Sequence, residues 1–533
     1  MENTVQTLPE LLARAAAAHG GKRFAVDAAS HAELSFAGLD AASAAVAAAL
    51  RERFKAAPRQ HIALLLPNCL ELLPAYFGIL RAGCVAVPVN ARLKADELQF
   101  ILGDSEAQAV IVHPATWRPA QQALQALNWT KPVIAACFDQ PPPGTIPFGD
   151  LVAAGAQHSV LSTQHSADVA AIIYTSGTTG RPKGAMLTHG NILFNVSATK
   201  AGHGLRGDDV HLLVVPLFHV TGLNTIMPTA LAQGGCLVVS AAIDPEDIVE
   251  TVHEFRCTTF FGVPTTFYLL ANVKDLRLEK LASLRLICYS GAPMSELTIK
   301  RLRGLFPRAE LHNFYGLTET TSCSTVLPDS QAVARAESVG LPPPGLELCI
   351  LDDAGKQLKP GEAGELCIRG PSIFKGYFKR PEATAEALAG GWFHSGDTAY
   401  IDAEGYVFLR GRKKEMIIVA GENVYPIEVE NALCAHPAVQ EAAVFGRPDA
   451  ALGEVVHAAV VLRPGGKLIE RELKAFVSER LAAFKVPRTI KFLDKLPRNP
   501  SGKVVKRDLA ASTQEGAKPR LTPYFRAQSE DQP

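Results

Sequence analysis

The residues best suited to chemistry form one run, Tyr174-Thr-Ser-Gly-Thr-Thr-Gly-Arg-Pro-Lys-Gly184, which follows the apolar stretch Ala170 to Ile173. Three glycines let backbone N–H groups approach an anion closely. Thr175, Ser176, Thr178 and Thr179 add hydroxyl donors, and Lys183 adds a positive charge. Gly177 and Gly180 supply the backbone freedom between them. The run therefore reads as a phosphate-binding loop after a buried strand. It is not a Walker A loop, which needs Ser or Thr directly after its lysine; here Pro182 precedes the lysine and Gly184 follows it.

The loop resembles the phosphate signature of the adenylate-forming superfamily, whose members include acyl-CoA synthetases and nonribosomal peptide adenylation domains. Later segments extend the resemblance in order. Asn313-Phe-Tyr-Gly-Leu-Thr-Glu-Thr320 is similar to a second core motif. This implies a nucleotide site that includes Asn313, Phe314 and Gly316, with Tyr315 beside adenine, Thr318 near the α-phosphate and Glu319 on Mg²⁺. An aromatic face suits a purine, and a carboxylate is a hard oxygen ligand for Mg²⁺. Ser290-Gly-Ala-Pro293 resembles the loop on which adenine lies, implying Gly291, Ala292 and Pro293. In Trp392 to Thr398, Asp397 takes the ribose position, and in Gly411 to Glu415, Arg412 falls near ribose or phosphate with Lys414 at the hinge. Pro497 to Val504 resembles the final motif, which makes Lys503 the catalytic lysine between the acyl carboxylate and ATP. Gly421, beside Ala420, takes the coenzyme A tunnel position.

What the resemblance implies is an acyl-CoA synthetase: carboxylic acid, ATP and coenzyme A give acyl-CoA, AMP and pyrophosphate through an acyl-adenylate. Attack on the α-phosphate turns a carboxylate oxygen into part of a good leaving group. Lys503, Thr318 and Glu319 are the expected catalytic residues. The small domain is expected to turn about Lys414 between the two half-reactions. By analogy the acyl pocket comprises Phe218, His219, Gly222, Gly262 and Val263. His219 either contacts the acyl group or is a hydrogen-bonded core histidine. The lining is mostly apolar and has no aspartate between 216 and 224, which disfavours an amino acid. Fatty acids, taken first, and aromatic acids both suit it. A dicarboxylate remains open if Arg256 or Arg285 turns inward. So do transfer to a carrier protein instead of free coenzyme A, and a catalytically silent nucleotide-binding relative.

The elements that must position these residues follow from hydrophobic patterning. Between 61 and 113, and again through 211–217, 235–241, 257–264 and 284–293, short apolar runs alternate with helical segments, which predicts two mostly parallel sheets covered by helices. From 345 to 410, short strands with close turns predict a small β subdomain. The expected fold is α/β: a large N-terminal domain, 1–410, of two doubly wound sheets with that subdomain, a hinge at 411–414, a small mobile α+β domain at 415–510, and a flexible tail at 511–533. In the C-terminal part, Leu473, Phe476, Val477 and Leu481 form a helical core stripe.

Composition bounds the rest. The 533 residues are 47% hydrophobic, enough for several buried cores. Lys plus Arg and Asp plus Glu both number 53, so no overall field favours nucleic acid. No apolar run is long enough to span a membrane, and no signal peptide is visible, so integral membrane contact is not expected and a cytoplasmic location is. The ten cysteines show no CxxC pair, and no histidines cluster at metal-ligand spacing; they read as reduced, mostly buried thiols.

Overall fold

The computed structural model describes residues 5–153, 164–175, 181–241, 244–271, 273, 276–291, 294, 296–419, 422–449, 452–499 and 503–511. The chain divides into two compact units, with the division between Lys414 and Glu415.

The first unit contains three sheets. One runs in the spatial order 376–377, 183–188, 169–175, 85–88, 61–65, 109–112, 133–135 and 146–147. Its strands are parallel from 169–175 onward, and the pairings that involve 183–188 are antiparallel. Short runs such as Ala109–Val112 are buried throughout, as strands covered on both faces must be. The helix Leu72–Arg81 is buried along its whole length. Its Arg81 is neutralised by Asp40 at 2.6 Å, so the internal charge is paired.

The second sheet runs 325–327, 310–315, 286–289, 259–262, 210–213, 236–239, 23–27 and 33–35. Its central pairs are parallel, as the alternating pattern predicts. The strand Arg23–Asp27, close to the N-terminus, joins this sheet beside Cys236–Val239 and not the sheet built from 61–112. The third sheet is antiparallel, in the order 338–340, 407–412, 393–401, 364–369 and 347–351. It is the predicted β subdomain, extended at both ends: its last strand, Val407–Arg412, runs into the segment assigned to the hinge.

The second unit is built on a long antiparallel pair, Val439–Asp449 with Gly453–Leu462, joined by 417–419, 422–424 and 489–492. Helices Pro426–Cys434 and Glu470–Ser478 contribute to its core. Leu473 and Val477 are fully buried. The second helix stops at Ser478, so Leu481 packs from the turn beyond it. Among the described residues, no helix is long and apolar enough to cross a membrane.

Candidate active site

Strand Val169–Thr175 delivers the chain to the phosphate loop, and Lys183–Thr188 carries it back antiparallel, with Thr175 opposite Lys183. Ser176, Gly177, Thr178, Thr179 and Gly180 lie outside the described residues. The base of the loop is anchored: the Tyr174 hydroxyl donates to Asp104 at 2.7 Å, and Asp104 pairs with Arg380 at 2.7 Å. Burial first, and Asp104 second, push the Tyr174 phenol up and keep it a donor. The Lys183 ammonium sits 5.1 Å from the ring centre of Tyr377.

Tyr377 also reaches the second motif, where its hydroxyl donates to Glu319 Oε1 at 2.8 Å. Glu319 lies in a short helical turn, Thr318–Thr320, after the strand Glu310–Tyr315. The chain there is folded very tightly. Thr321 and Ser322 adopt positive φ, and a Cβ on Gly316 would come within 1.2 Å of the Ser322 carbonyl oxygen, so only glycine fits. The Thr321 hydroxyl donates to the Ser372 carbonyl at 2.7 Å, and the Phe374 amide to the Glu319 carbonyl at 2.8 Å. The Glu319 carboxylate is buried and makes no ion pair among the described residues. A buried, unpaired carboxylate held by one phenol suits a hard cation such as Mg²⁺.

The same strand directs Tyr315 to Asp397. The Tyr315 hydroxyl donates to Asp397 Oδ2 at 2.5 Å, and Asp397 Oδ1 pairs with Arg412 Nε at 2.8 Å. Asp397 and Arg412 face each other across adjacent strands of the third sheet. Ser395 completes the arrangement: its hydroxyl accepts from the Asp397 amide at 3.0 Å, and its carbonyl from Arg412 Nη1 at 3.0 Å. Burial, then the Asp397 charge, push the Tyr315 phenol well up. The Asn313 side chain instead donates to the Ser338 carbonyl at 3.0 Å, and Phe314 is buried against Phe261.

Of the predicted acyl-pocket residues, Gly262 ends the strand Thr259–Gly262 beside Tyr289, Val263 follows it as the cap of helix Pro264–Leu270, and a Cβ on Gly291 would lie 3.7 Å from Val263. Phe218 and His219 lie in a loop, Gly222 opens the helical segment Gly222–Ile226, and the segment is tied to the second motif by Thr221 Oγ1 and Ser322 Oγ, 3.2 Å apart. His219 is exposed and its Nδ1 accepts from the Thr221 amide at 3.3 Å, which rules out the core-histidine alternative. The two arginines on which a dicarboxylate would depend are elsewhere. Arg285 Nε pairs with buried Asp209 at 2.8 Å, and Arg256 is exposed at the left-handed end of helix Pro245–Phe255. Ala292, Pro293 and Gly421 lie outside the described residues. Lys414 is exposed in the turn Lys413–Glu415. In the second unit Lys503 is exposed; its amide donates to Asn499 Oδ1 at 2.9 Å, and the Asn499 amide donates to its carbonyl at 2.8 Å.

Comparison with known proteins decides what this geometry belongs to. Residues 12–378 match the AMP-binding enzyme family, and residues 428–503 match the AMP-binding enzyme C-terminal domain. The chain belongs to the AMP-binding enzymes. Within that family it is an AMP-forming acid–thiol ligase. It is 38% identical over 451 residues to a feruloyl-CoA synthase of Amycolatopsis sp, covering 84% of this chain and 88% of the relative. It is 35% identical over 466 residues to the fatty acid–[acyl-carrier-protein] ligase ScoC of Streptomyces coeruleorubidus, covering 85% and 86%. Among solved structures, the anthranilate CoA ligase AuaEII in complex with anthranoyl-AMP is similar with a TM-score of 0.88 and 27% identity, over 95% of this chain and 97% of that one.

Two residues of this AMP-binding enzyme's site escaped the sequence reading. Tyr377, which bridges Lys183 and Glu319, sits in an unremarkable loop 58 positions after Glu319 and is placed by a two-residue strand against 185–186. Ser395, two positions before Asp397, is a local cap, and that spacing was the available signal.

Proposed function

We propose that this ligase is an acyl-CoA synthetase for an aromatic carboxylic acid. The observation that carries the adenylation reading is the convergence of Lys183 and Glu319 on Tyr377, beside the Tyr315–Asp397–Arg412 chain. In the first half-reaction a carboxylate oxygen of the acid bonds to the α-phosphorus of ATP, and the bond to pyrophosphate breaks. Two anions must meet, so the site works by positioning and charge neutralisation, and no general base is needed. Lys183 holds phosphate from one side, Thr318 donates to the α-phosphate, and Asp397 accepts from ribose hydroxyls while Arg412 offsets its charge. Glu319 would hold Mg²⁺, which when bound spreads positive charge over the phosphate oxygens. Lys503, brought in by the second unit, bridges the incoming carboxylate and ATP. In the second half-reaction the coenzyme A sulfur attacks the acyl carbonyl and AMP leaves with the bonding pair.

The aromatic choice rests on the likeness to a feruloyl-CoA synthase and to an anthranoyl-AMP complex, together with the apolar lining around Phe218 and Val263; the sequence alone leans slightly toward fatty acids. The likeness to a carrier-protein ligase favours a second reading, transfer to a carrier thiol. The test is pyrophosphate release with ATP and Mg²⁺ over aryl, arylpropenoic, fatty and dicarboxylic acids, with and without coenzyme A. Release with aryl acids and coenzyme A consumption is the expected result. Acid-dependent release without coenzyme A turnover would select the carrier reading, and release confined to fatty acids would overturn the aromatic assignment.

A further inference from the structure

At the carboxyl edge of the first sheet, three metal-binding side chains outside the assigned set meet. Cys69 follows the strand His61–Leu65, Glu71 precedes the helix Leu72–Arg81, and Cys137 follows the strand Val133–Ala135. Both strands are parallel neighbours of Ala109–Val112, so their carboxyl ends lie on one edge, where open α/β sheets characteristically bind ligands. The two Sγ atoms and a Glu71 carboxylate oxygen lie within 4.8 Å of one another. Because the cysteines come from different strands, no spacing motif betrays them.

A second cluster in the chain shows what is unusual about the first. Glu365, Cys367 and His394 also converge, but there the carboxylate pairs with Lys413 at 3.5 Å and with His394 at 3.3 Å, and it accepts from the Gly396 amide at 3.1 Å. That cluster carries its own positive charge. Glu71 makes no ion pair with a lysine or arginine among the described residues. Two thiolates and a carboxylate at such separations repel strongly, and a cation is the group that lets all three ionise together. Cys69 is buried, Glu71 is half-buried and Cys137 is exposed, so the set has a firm floor and an entry path from solvent.

We infer that Cys69, Glu71 and Cys137 bind one thiophilic divalent cation of the Zn²⁺ type, with water in a solvent-facing fourth position. Two sulfurs and one carboxylate oxygen suit such an ion and not Mg²⁺. The site is structural. Asn68, next to Cys69, donates from Nδ2 to the carbonyls of Leu213, Val215 and Ser240, each at 3.2 Å, and accepts from the Leu217 amide at 2.8 Å. A cation on Cys69 therefore pins the clasp between the two large sheets.

The test uses the full-length, reduced, chelator-stripped protein titrated with Co²⁺ and then with Zn²⁺. One equivalent of Co²⁺ is expected, with thiolate charge-transfer absorption and tetrahedral visible bands that Zn²⁺ displaces. Cys69→Ser and Cys137→Ser each lose that absorption, and Glu71→Gln weakens binding with the thiolate bands kept. Cys367→Ser, in the self-compensated cluster, leaves it unchanged. In the unsubstituted protein, Zn²⁺ protects Cys69 and Cys137 from alkylation, as read by peptide mass spectrometry; this arm holds even if a variant fails to fold. Absence of the bands, their persistence in both serine variants, or equal alkylation with and without Zn²⁺ would overturn the site.

Discussion

Asp397 and Lys503 are both charged residues assigned to one reaction, and they are held in opposite ways. Asp397 is 6% exposed and fixed by a phenol, a guanidinium and a serine, all within the first unit. Lys503 is exposed in the second unit. In the proposed function, Asp397 is preorganised within the first unit, while Lys503 belongs to the second. A group carried on a separate unit can serve one half-reaction and leave the other alone; a group built into the nucleotide site cannot.

The strongest way to break that comparison is Lys503→Ala. Adenylation, read as acid-dependent pyrophosphate release, is expected to fall by about 10²–10³, the loss typical of one preorganised donor. Thioester formation from supplied acyl-AMP should change far less. Equal losses in both steps would mean that Lys503 is no more separable than Asp397. Asp397→Asn is the converse: it unpairs Arg412 and weakens the acceptor facing Tyr315, at about 1.5–3 kcal/mol for hydrogen bonds to charged groups. It should lower kcat/KM about 10- to 100-fold for ATP and, unlike Lys503→Ala, also slow the use of acyl-AMP.

Acid sharpens the contrast at the level of whole units. In the first unit burial holds His189 and His211 at about 4 and His203 at about 3; in the second the counterpart is His457, at about 4. These imidazoles stay neutral in the folded chain and take up protons once unfolded. Their contribution is therefore full above about pH 6.5 and is lost as pH falls toward the folded values. Three such groups remove about 2 kcal/mol between pH 7 and 6. The first unit should accordingly lose more thermal stability than the second over that interval, as followed by calorimetry. The mildest change is Tyr377→Phe. Losing one hydrogen bond to Glu319, about 1 kcal/mol, should cost about fivefold in kcat/KM for ATP and raise the Mg²⁺ needed for half-maximal rate, with the melting temperature nearly unchanged.

The parts legible in the sequence are those whose physics is local. The loop around Lys183, the turn around Glu319 and the strands on either side announce themselves by glycine, hydroxyl and apolar spacing within about ten residues, and the alternation of short strands and helices foretold both large sheets. Pairings over long distances were not legible. Tyr377 gains its role only because a two-residue strand docks beside 185–186. Cys69 and Cys137 become neighbours only because their strands flank 109–112. Arg285 looks like a free charge in sequence and is spent on Asp209 in the fold.

The placement of Arg23–Asp27 also sets a timetable for the newborn chain. Ala25 pairs with Leu237, 212 positions later. At ribosomal rates of about 5–20 residues per second, about 10–40 s separate the emergence of the two strands. Throughout that interval Phe24 and Val26, buried in the finished protein, have no parallel partner to cover them. The wait follows from connectivity alone: moving residues 1–35 to the other end of the chain would shorten neither sheet yet change it.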